Sequence, residues 1–331
     1  MGNRPVVVKR VLLYPMLELL GEERPIQRNV AGLEQGVANV KANWLRIIAI
    51  SSGFSVLYAM VHGLMPTGGT AVLPPSFFVQ QGLLPIVFIL YGILWFGLLT
   101  IIFVLIEGGL VGGRIRKGLM FGLFYFFLVV ASYFEPLPHS GDLVNEISWM
   151  MADGLPLIVL GLLMGRYLGH DGPRTNAEKV GVARPFGPLD ALVILIIPIF
   201  FMKGRLLSYT VFGIYSSFDA NPIGSLVWAL FFGLVLGILY FLFRASMVGS
   251  THRRKALFFG TVMFGLDIFL FNFAFALIVE MQLGPIGGLT MADMLVRVLS
   301  DVLFTVIAIS LYEKVSSSSF IMKRHSMSES E

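Results

Sequence analysis

The chain has 331 residues, of which 56% are hydrophobic and only 13% charged, and its mean hydropathy is +0.82. Since a soluble domain carries roughly 25% charged residues, this composition excludes an ordinary soluble protein and favours one whose main solvent is the lipid bilayer. The chain has no cysteine, which excludes disulfides, thiolate metal sites and cysteine nucleophiles. Its formal charge of +4 comes from basic residues whose positions indicate membrane topology rather than a nucleic-acid-binding surface. We therefore expect no nucleic-acid partner.

Residues 1–43 are predicted to be a cytoplasmic segment that is retained in the protein. Val6–Leu20 resembles a signal sequence only weakly, because Pro15 and Glu18 interrupt the apolar stretch before a cleavage site. We expect this stretch to form a short amphipathic helix that lies on the cytoplasmic membrane surface.

Eight apolar segments, bounded by charges, glycine and proline, predict an all-α polytopic membrane protein. A transmembrane helix needs about 20 residues to cross ~30 Å of hydrocarbon. The fifth segment is the weakest, because Pro198 lies within it and Lys203 and Arg205 follow its apolar stretch, so a re-entrant or interfacial helix is the alternative there. The predicted spans cover residues 47–65, 83–106, 118–134, 147–165, 189–209, 223–243, 256–279 and 291–312.

The distribution of basic residues predicts a cell-membrane protein with both termini in the cytoplasm. With eight spans and an inner N-terminus, all of the 24 lysines and arginines lie on the inner side except Lys203, Arg205 and Arg297, as the positive-inside rule requires. We expect Lys203 and Arg205 to extend towards the outer headgroups. A cytoplasmic basic cluster can contact anionic lipid headgroups, although a turn that simply obeys the positive-inside rule is the simpler explanation. The cluster comprises Arg114, Arg116, Lys117, Arg253, Arg254 and Lys255.

An internal repeat divides the predicted spans into two groups of four. RIRKGLMFG at Arg114–Gly122 and HRRKALFFG at His252–Gly260 are identical at five of nine positions, and a separate alignment of the fourth and eighth spans places Asp153 opposite Asp301. Because each unit has an even number of spans, the two units have the same orientation and a pseudo-two-fold axis along the membrane normal. The alternative is that basic-ended apolar helices resemble one another anyway. We favour duplication because spacing and glycine positions agree as well as composition.

The resulting organisation has five parts, which differ in composition and predicted location. A cytoplasmic linker joins the two repeats, and a polar, serine-rich cytoplasmic tail is expected to be disordered. The parts are the N-terminal segment 1–43, the first four-span repeat 44–169, the linker 170–187, the second four-span repeat 188–314 and the tail 315–331.

No motif for intramembrane catalysis is present in the sequence. HExxH, GxSxG, a P-loop and paired Asp-rich motifs are all missing, and the five histidines fall at helix ends, in loops or in the tail. A membrane-embedded haem needs two facing histidines at depth. We therefore expect no enzymatic activity, cofactor or metal, and place an enzyme acting on lipid well below the other functional hypotheses.

Ionisable residues within the spans are the most informative positions. Asp267 lies about 17 Å into its span at 1.5 Å per residue, near the bilayer midplane, and Asp293, Arg297 and Asp301 share one helix face at i, i+4 and i+8. These charges favour either a solute or ion site between the halves, with Asp153 and Asp301 facing each other, or a charge-neutralised clasp between helices. The candidate site residues are Asp153, Asp267, Asn272, Arg297 and Asp301.

Two functional hypotheses follow from this pattern. The first is a secondary transporter or permease-like protein for a small solute, since parallel repeats and midplane charges are typical of such proteins. The second is a non-catalytic membrane subunit that assembles or scaffolds a larger complex, with other membrane subunits as its partners, and the absence of motifs is equally compatible with it.

Overall fold

The computed structural model describes residues 26–64, 76–136, 143–171, 194–214, 216–247, 251–274, 278 and 291–328. All regular structure within these ranges is helical and none of it is strand. The predicted amphipathic helix at Val6–Leu20 and almost all of the predicted linker 170–187 lie outside the described residues. The prediction of an all-helical chain is confirmed for the part that the structure describes.

Eight main helices follow one another along the part of the chain that the structure describes. They are α1 (Ile26–Gly63), α2 (Leu84–Ile106), α3 (Arg114–Tyr133), α4 (Leu143–Leu168), α5 (Ile196–Thr210), α6 (Pro222–Phe243), α7 (residues 252–274) and α8 (Met291–Ser328). A short helix, Phe77–Gln80, precedes α2, and 3-10 turns follow α2 at Glu107–Gly109 and α6 at Arg244–Ser246.

Helix α7 differs from the others because it alternates between α and π turns. It begins as an α-helix at His252–Leu257, becomes π-helical over Phe258–Gly265, returns to α at Leu266–Ile268 and is π-helical again over Phe269–Ala274. A π turn bonds i to i+5 and is often found at functional sites.

Six helical segments are long and apolar enough to cross a membrane, which is compatible with an integral membrane protein. Helix α5 has only 15 residues, and α7 is divided by its π turns, so eight spans remain a prediction. The six segments are Ala38–Gly63, Leu84–Gly109, Arg114–Tyr133, Ile147–Leu168, Pro222–Ser246 and Ala292–Val315.

Local sequence explains where several helices begin. The Asn221 side chain accepts a hydrogen bond from the backbone N–H of Gly224 at 2.9 Å, and Pro222 occupies the first turn of α6, where its missing N–H costs nothing. Thr251 caps α7 in the same way through the N–H of Arg254 at 3.3 Å. Gly112 has φ +111, a conformation that only glycine adopts readily, and it reverses the chain ahead of α3.

The helices pack as two groups with matching neighbours. In the first group α1 packs against α2 and α4, and α3 against α4; in the second, α5 packs against α6 and α8, and α7 against α8. Helix α3 packs against α6, and Glu107–Gly109 lies against Arg244–Ser246, which joins the two groups. The core that results is rich in aromatic residues such as Trp95, Phe103 and Phe232.

The final helix is longer than the composition predicts. Helix α8 continues to Ser328, across most of residues 315–331, for which the polar composition predicts disorder. Extending an existing helix requires no new nucleation, so serines and charged residues can follow the last predicted span without breaking it.

Glycines allow α3 and α4 to approach at backbone distance, and this contact yields a stability prediction. A Cβ atom built on Gly161 would lie 2.7 Å from the Cα and 2.8 Å from the N of Gly122, so Gly161→Ala must push the helices apart. We expect a loss of about 1–3 kcal/mol in the free energy of unfolding, measured by thermal unfolding in detergent.

The matched control is Gly53→Ala in α1. A Cβ there meets nothing within 4 Å, so this variant should be unchanged or slightly more stable because alanine favours helix. Equal stability of the two variants would contradict the close packing of α3 on α4.

Candidate functional site

Asp153 of α4 is the centre of the first polar cluster. Its carboxylate is 1% exposed. The hydroxyl of Tyr58 in α1 donates to Oδ1 and the hydroxyl of Tyr133 in α3 donates to Oδ2, while His62 Nε2 lies 2.8 Å from Oδ1. Three helices therefore meet at one carboxylate. This carboxylate lies at the end of the bundle where α1 ends, which we call the His62 end.

His62 has a polar partner at each ring nitrogen. Its Nδ1 lies 3.0 Å from the backbone carbonyl of Tyr58, and its Nε2 lies 2.8 Å from Asp153 Oδ1. These two contacts fix the orientation of the imidazole ring against the buried carboxylate.

A second cluster at the His62 end joins two arginines to two carboxylates. Arg205 of α5 donates from Nη2 to Asp301 Oδ2 at 2.7 Å and from Nη1 to Glu135 Oε1 at 3.2 Å. Arg297 of α8 donates from Nη1 to the same Glu135 oxygen at 2.7 Å. Four formal charges thus cancel across α5, α8 and the residue beyond α3.

One expectation about this cluster is wrong. Arg205 does not extend towards headgroups: its side chain is 3% exposed, and its guanidinium lies 4.9 Å from the Trp228 ring centre. Asp301 accepts its hydrogen bond from this arginine, which lies on another helix. A partner across the bundle neutralises the carboxylate and ties two helices together, which a partner on the same helix cannot do.

Asp267 has different surroundings. It is 3% exposed, and its Oδ1 accepts a hydrogen bond from Trp95 Nε1 of α2 at 2.9 Å. No basic side chain pairs with it among the residues that the structure describes. It lies in Leu266–Ile268, the α-helical turn between the two π-helical stretches of α7.

Aromatic residues surround Asp267 and connect it with the Asp153 cluster. Tyr91 and Tyr125 are close enough to interact with Asp267 electrostatically. The Trp95 ring centre is 5.9 Å from that of Tyr58 and 5.7 Å from that of Phe271. Polar groups and ring faces therefore form one continuous region between α1, α2, α3 and α7.

The structure divides the described site residues among separate clusters. Asp153, Asp267 and Asp301 each accept hydrogen bonds from different partners, and a solute or ion site between a facing Asp153 and Asp301 stays a prediction. Arg297 belongs to the Asp301 cluster through Glu135. The side chain of Asn272 lies outside the described part of the chain.

Two further buried ion pairs lie at the opposite end of the bundle. They involve Glu107, in the 3-10 turn after α2, and Glu313 of α8. Glu107 accepts from Lys117 Nζ at 3.4 Å and lies 3.0 Å from His170 Nδ1. Glu313 pairs with Arg244 Nε at 2.5 Å and accepts from the hydroxyl of Tyr240 at 2.8 Å.

These contacts correct one member of the predicted basic cluster. Lys117 is completely buried and neutralises Glu107, so it does not belong to an exposed surface. Arg114, Arg116 and Arg253 are exposed, as a surface cluster requires. The remaining two members, Arg254 and Lys255, are half-buried.

Sequence reasoning overlooked most partners of the buried carboxylates. Tyr58, His62 and Tyr133 lie within the last two turns of apolar helices, where aromatic residues are common and carry no special signal. Glu107 and Glu313 were detectable, because an acid at the end of an apolar span close to several basic residues indicates an ion pair.

Comparison with known proteins gives no further guide to this site. No protein-family model, curated protein or solved structure matches the chain. The interpretation of the site therefore depends on its own geometry.

The Arg205–Asp301 pair yields a prediction about stability. Arg205→Met leaves a buried carboxylate without its direct partner, which should cost about 3–5 kcal/mol and lower the thermal unfolding midpoint. The double variant Arg205→Met with Asp301→Leu should recover much of this loss, because no uncompensated charge remains.

Lys203→Met is the matched control, since Lys203 is exposed on the same helix and should contribute little. If Arg205→Met were no more destabilising than Lys203→Met, the two helices would not be joined by this buried pair.

Proposed function

We propose that the protein is a secondary transporter of a small solute and has no catalytic activity. In this proposal it lies in the cell membrane, with eight spans arranged as two parallel four-helix halves and both termini in the cytoplasm. Asp267 carries the proposal. A carboxylate at the bilayer centre costs at least ~2.5–3.5 kcal/mol on insertion scales, and this one has no basic partner among the described residues. A bound cation or proton removes that cost.

Contacts between equivalent residues support the two-half arrangement. When Arg114 is aligned with His252, Tyr125 corresponds to Met263, and the Tyr125 hydroxyl donates to the Met263 carbonyl at 3.1 Å. Contacts between equivalent positions are typical of a two-fold axis.

The second helix of each proposed half also bonds the third helix of the other half. Tyr91 and Trp228 correspond when Glu107 is aligned with Arg244. The Tyr91 hydroxyl donates to the Leu270 carbonyl at 3.1 Å, and Trp228 Nε1 donates to the Ala131 carbonyl at 2.8 Å. This reciprocal pattern is difficult to explain by the general similarity of apolar helices.

The surroundings of Asp267 favour a cationic solute. Trp95 belongs to the first proposed half and Asp267 to the second, so their hydrogen bond crosses the interface, where transporters built from repeats commonly bind substrates. A buried carboxylate with no basic partner among the described residues attracts metal ions or organic amines.

Ligand-dependent stability tests the proposal. Purified protein is heated with a panel of alkali and alkaline-earth cations and of primary and quaternary amines. One class of these compounds should raise the unfolding temperature, because a ligand that binds only the folded state stabilises it. Asp267→Asn should remain folded and lose the response. Asp171→Asn, which removes a carboxylate that is 74% exposed, should keep it.

The class that stabilises the protein then serves as solute in proteoliposome uptake. We expect wild type and Asp171→Asn to accumulate it, and Asp267→Asn to show uptake no greater than empty liposomes. Uptake by Asp267→Asn at the wild-type rate would contradict the assignment of the site.

The alternative function is a non-catalytic membrane subunit. One observation favours it: Asp153 and Asp301 are fully engaged by donors from other helices, as in a structural clasp. This alternative predicts no ligand response in wild type and stable co-purification with other membrane subunits.

The absence of cysteine permits a direct test of topology. Single variants Ala220→Cys, between α5 and α6, and Arg253→Cys, at the start of α7, place a thiol at exposed positions. If α5 crosses the membrane, a membrane-impermeant maleimide should label Ala220→Cys in intact cells, and Arg253→Cys only after permeabilisation. The reverse pattern would show that α5 does not cross.

A further inference from the structure

A pocket of about 340 Å³ lies at the end of the bundle opposite His62. It is bounded by α1, the first turn of α3 and the end of α4. Three arginines from these three helices line it, together with Tyr167 and His170; the arginines are Arg46, Arg114 and Arg166.

The arginines of this pocket have little compensating negative charge. Arg46 Nη1 lies 3.4 Å from Asn43 Oδ1 and 3.3 Å from the Tyr167 carbonyl, and both acceptors are neutral. The Arg166 guanidinium lies 5.9 Å from the Tyr167 ring centre. Within the described residues, the only carboxylate that pairs with these arginines is Asp171, at 4.0 Å from Arg114 Nε.

The backbone adds to the positive potential. Arg114 is the first residue of α3, and the N-cap residue Gly113 has no side chain that could accept a hydrogen bond, so the N–H groups of the first turn contribute partial positive charge. The N–H of Arg114 donates to Asp171 Oδ1 at 3.1 Å. A side-chain carboxylate therefore already occupies part of the position that a phosphate would take.

The pocket also lies beside a surface suited to hydrocarbon. Trp44, Leu45 and Ile48 of α1 are 54%, 64% and 50% exposed, and Tyr167 is 53% exposed. Exposed tryptophan and tyrosine next to exposed aliphatic side chains mark the boundary between headgroups and acyl chains. A soluble anion would have no use for this adjoining surface.

We propose that the pocket binds the phosphate of an anionic phospholipid headgroup, with the acyl chains lying along the exposed face of α1. Arginine forms paired hydrogen bonds with phosphate oxygens, and three arginines from three helices surround one headgroup. This site is separate from Asp267 and does not depend on transport.

Binding here has a structural consequence. His170 lines the pocket and lies 3.0 Å from Glu107, which pairs with the buried Lys117. A headgroup that draws α1, α3 and α4 together therefore also supports this ion pair, and we expect it to stabilise the folded protein.

The test measures thermal unfolding of the full-length protein in detergent micelles that contain increasing phosphatidylglycerol. Wild type should be stabilised, while phosphatidylcholine and inorganic phosphate at matched concentrations should have no effect. In the triple variant Arg46→Gln, Arg114→Gln, Arg166→Gln the half-effect concentration should rise by about tenfold or more, because several charge-assisted hydrogen bonds are lost.

The control is the triple variant Lys41→Gln, Lys203→Gln, Lys314→Gln, which removes the same charge from exposed positions outside the pocket and outside the cytoplasmic basic cluster and should respond as wild type does. If the first triple variant does not fold, Arg46→Gln alone serves the same purpose. An unchanged phosphatidylglycerol response in the pocket variant overturns the proposal. Equal stabilisation by inorganic phosphate also overturns it, because the occupant would then be a soluble anion.

Discussion

Charge inside a membrane must be neutralised by the protein itself, and this requirement determines how the helices are joined. Asp153 draws α1, α3 and α4 together through tyrosine and histidine donors, and Asp301 joins α8 to α5 through Arg205. At the opposite end, Glu107 and Glu313 each take a basic partner. An unmatched charge deep in the membrane is unfavourable, so each pair favours the arrangement of helices that brings its two charges together. Apolar side chains then pack between the same helices.

Asp267 is the exception to this pattern. Its neighbours are aromatic residues and an indole N–H, and the helix around it departs from regular α geometry on both sides. A sequence selected only for stability would place an apolar residue there, since one hydrogen bond does not offset the desolvation of a carboxylate. The desolvation cost of the Asp267 carboxylate is therefore best explained by a role in binding a ligand. For this reason Asp267 is central to the proposed site, rather than Asp153 or Asp301, which have more hydrogen-bond partners.

Sequence alone predicted the local features and missed the long-range ones. Apolar runs located α2, α3, α4 and α6 to within a few residues at both ends, whereas α1 begins well before its predicted span and α8 ends well after its own. Depth along a span identified Asp267 as unusual. The i, i+4 rule, however, grouped Asp293, Arg297 and Asp301 on one helix face and overlooked Arg205, which lies on another helix. Spacing along one helix reveals only neighbours on that helix. The choice among partners on different helices depends on packing, as at Gly122 and Gly161, where the absence of side chains sets how close two helices come.

The contact between the two proposed halves is the feature on which both the site and its proposed use depend, and disulfide cross-linking tests it directly. A Cβ built on Gly109 would lie 2.6 Å from Ser246 Cα and 3.1 Å from Ser246 Cβ, so the two turns must separate slightly to reach the Cβ distance of about 3.5–4.5 Å that a disulfide spans. The chain itself has no cysteine. The double variant Gly109→Cys with Ser246→Cys is oxidised, cleaved in the linker around residue 180 and resolved by non-reducing electrophoresis. The disulfide should hold the two fragments together as a single band, whereas either single variant should separate into two fragments. Two fragments from the double variant would contradict the arrangement of the halves.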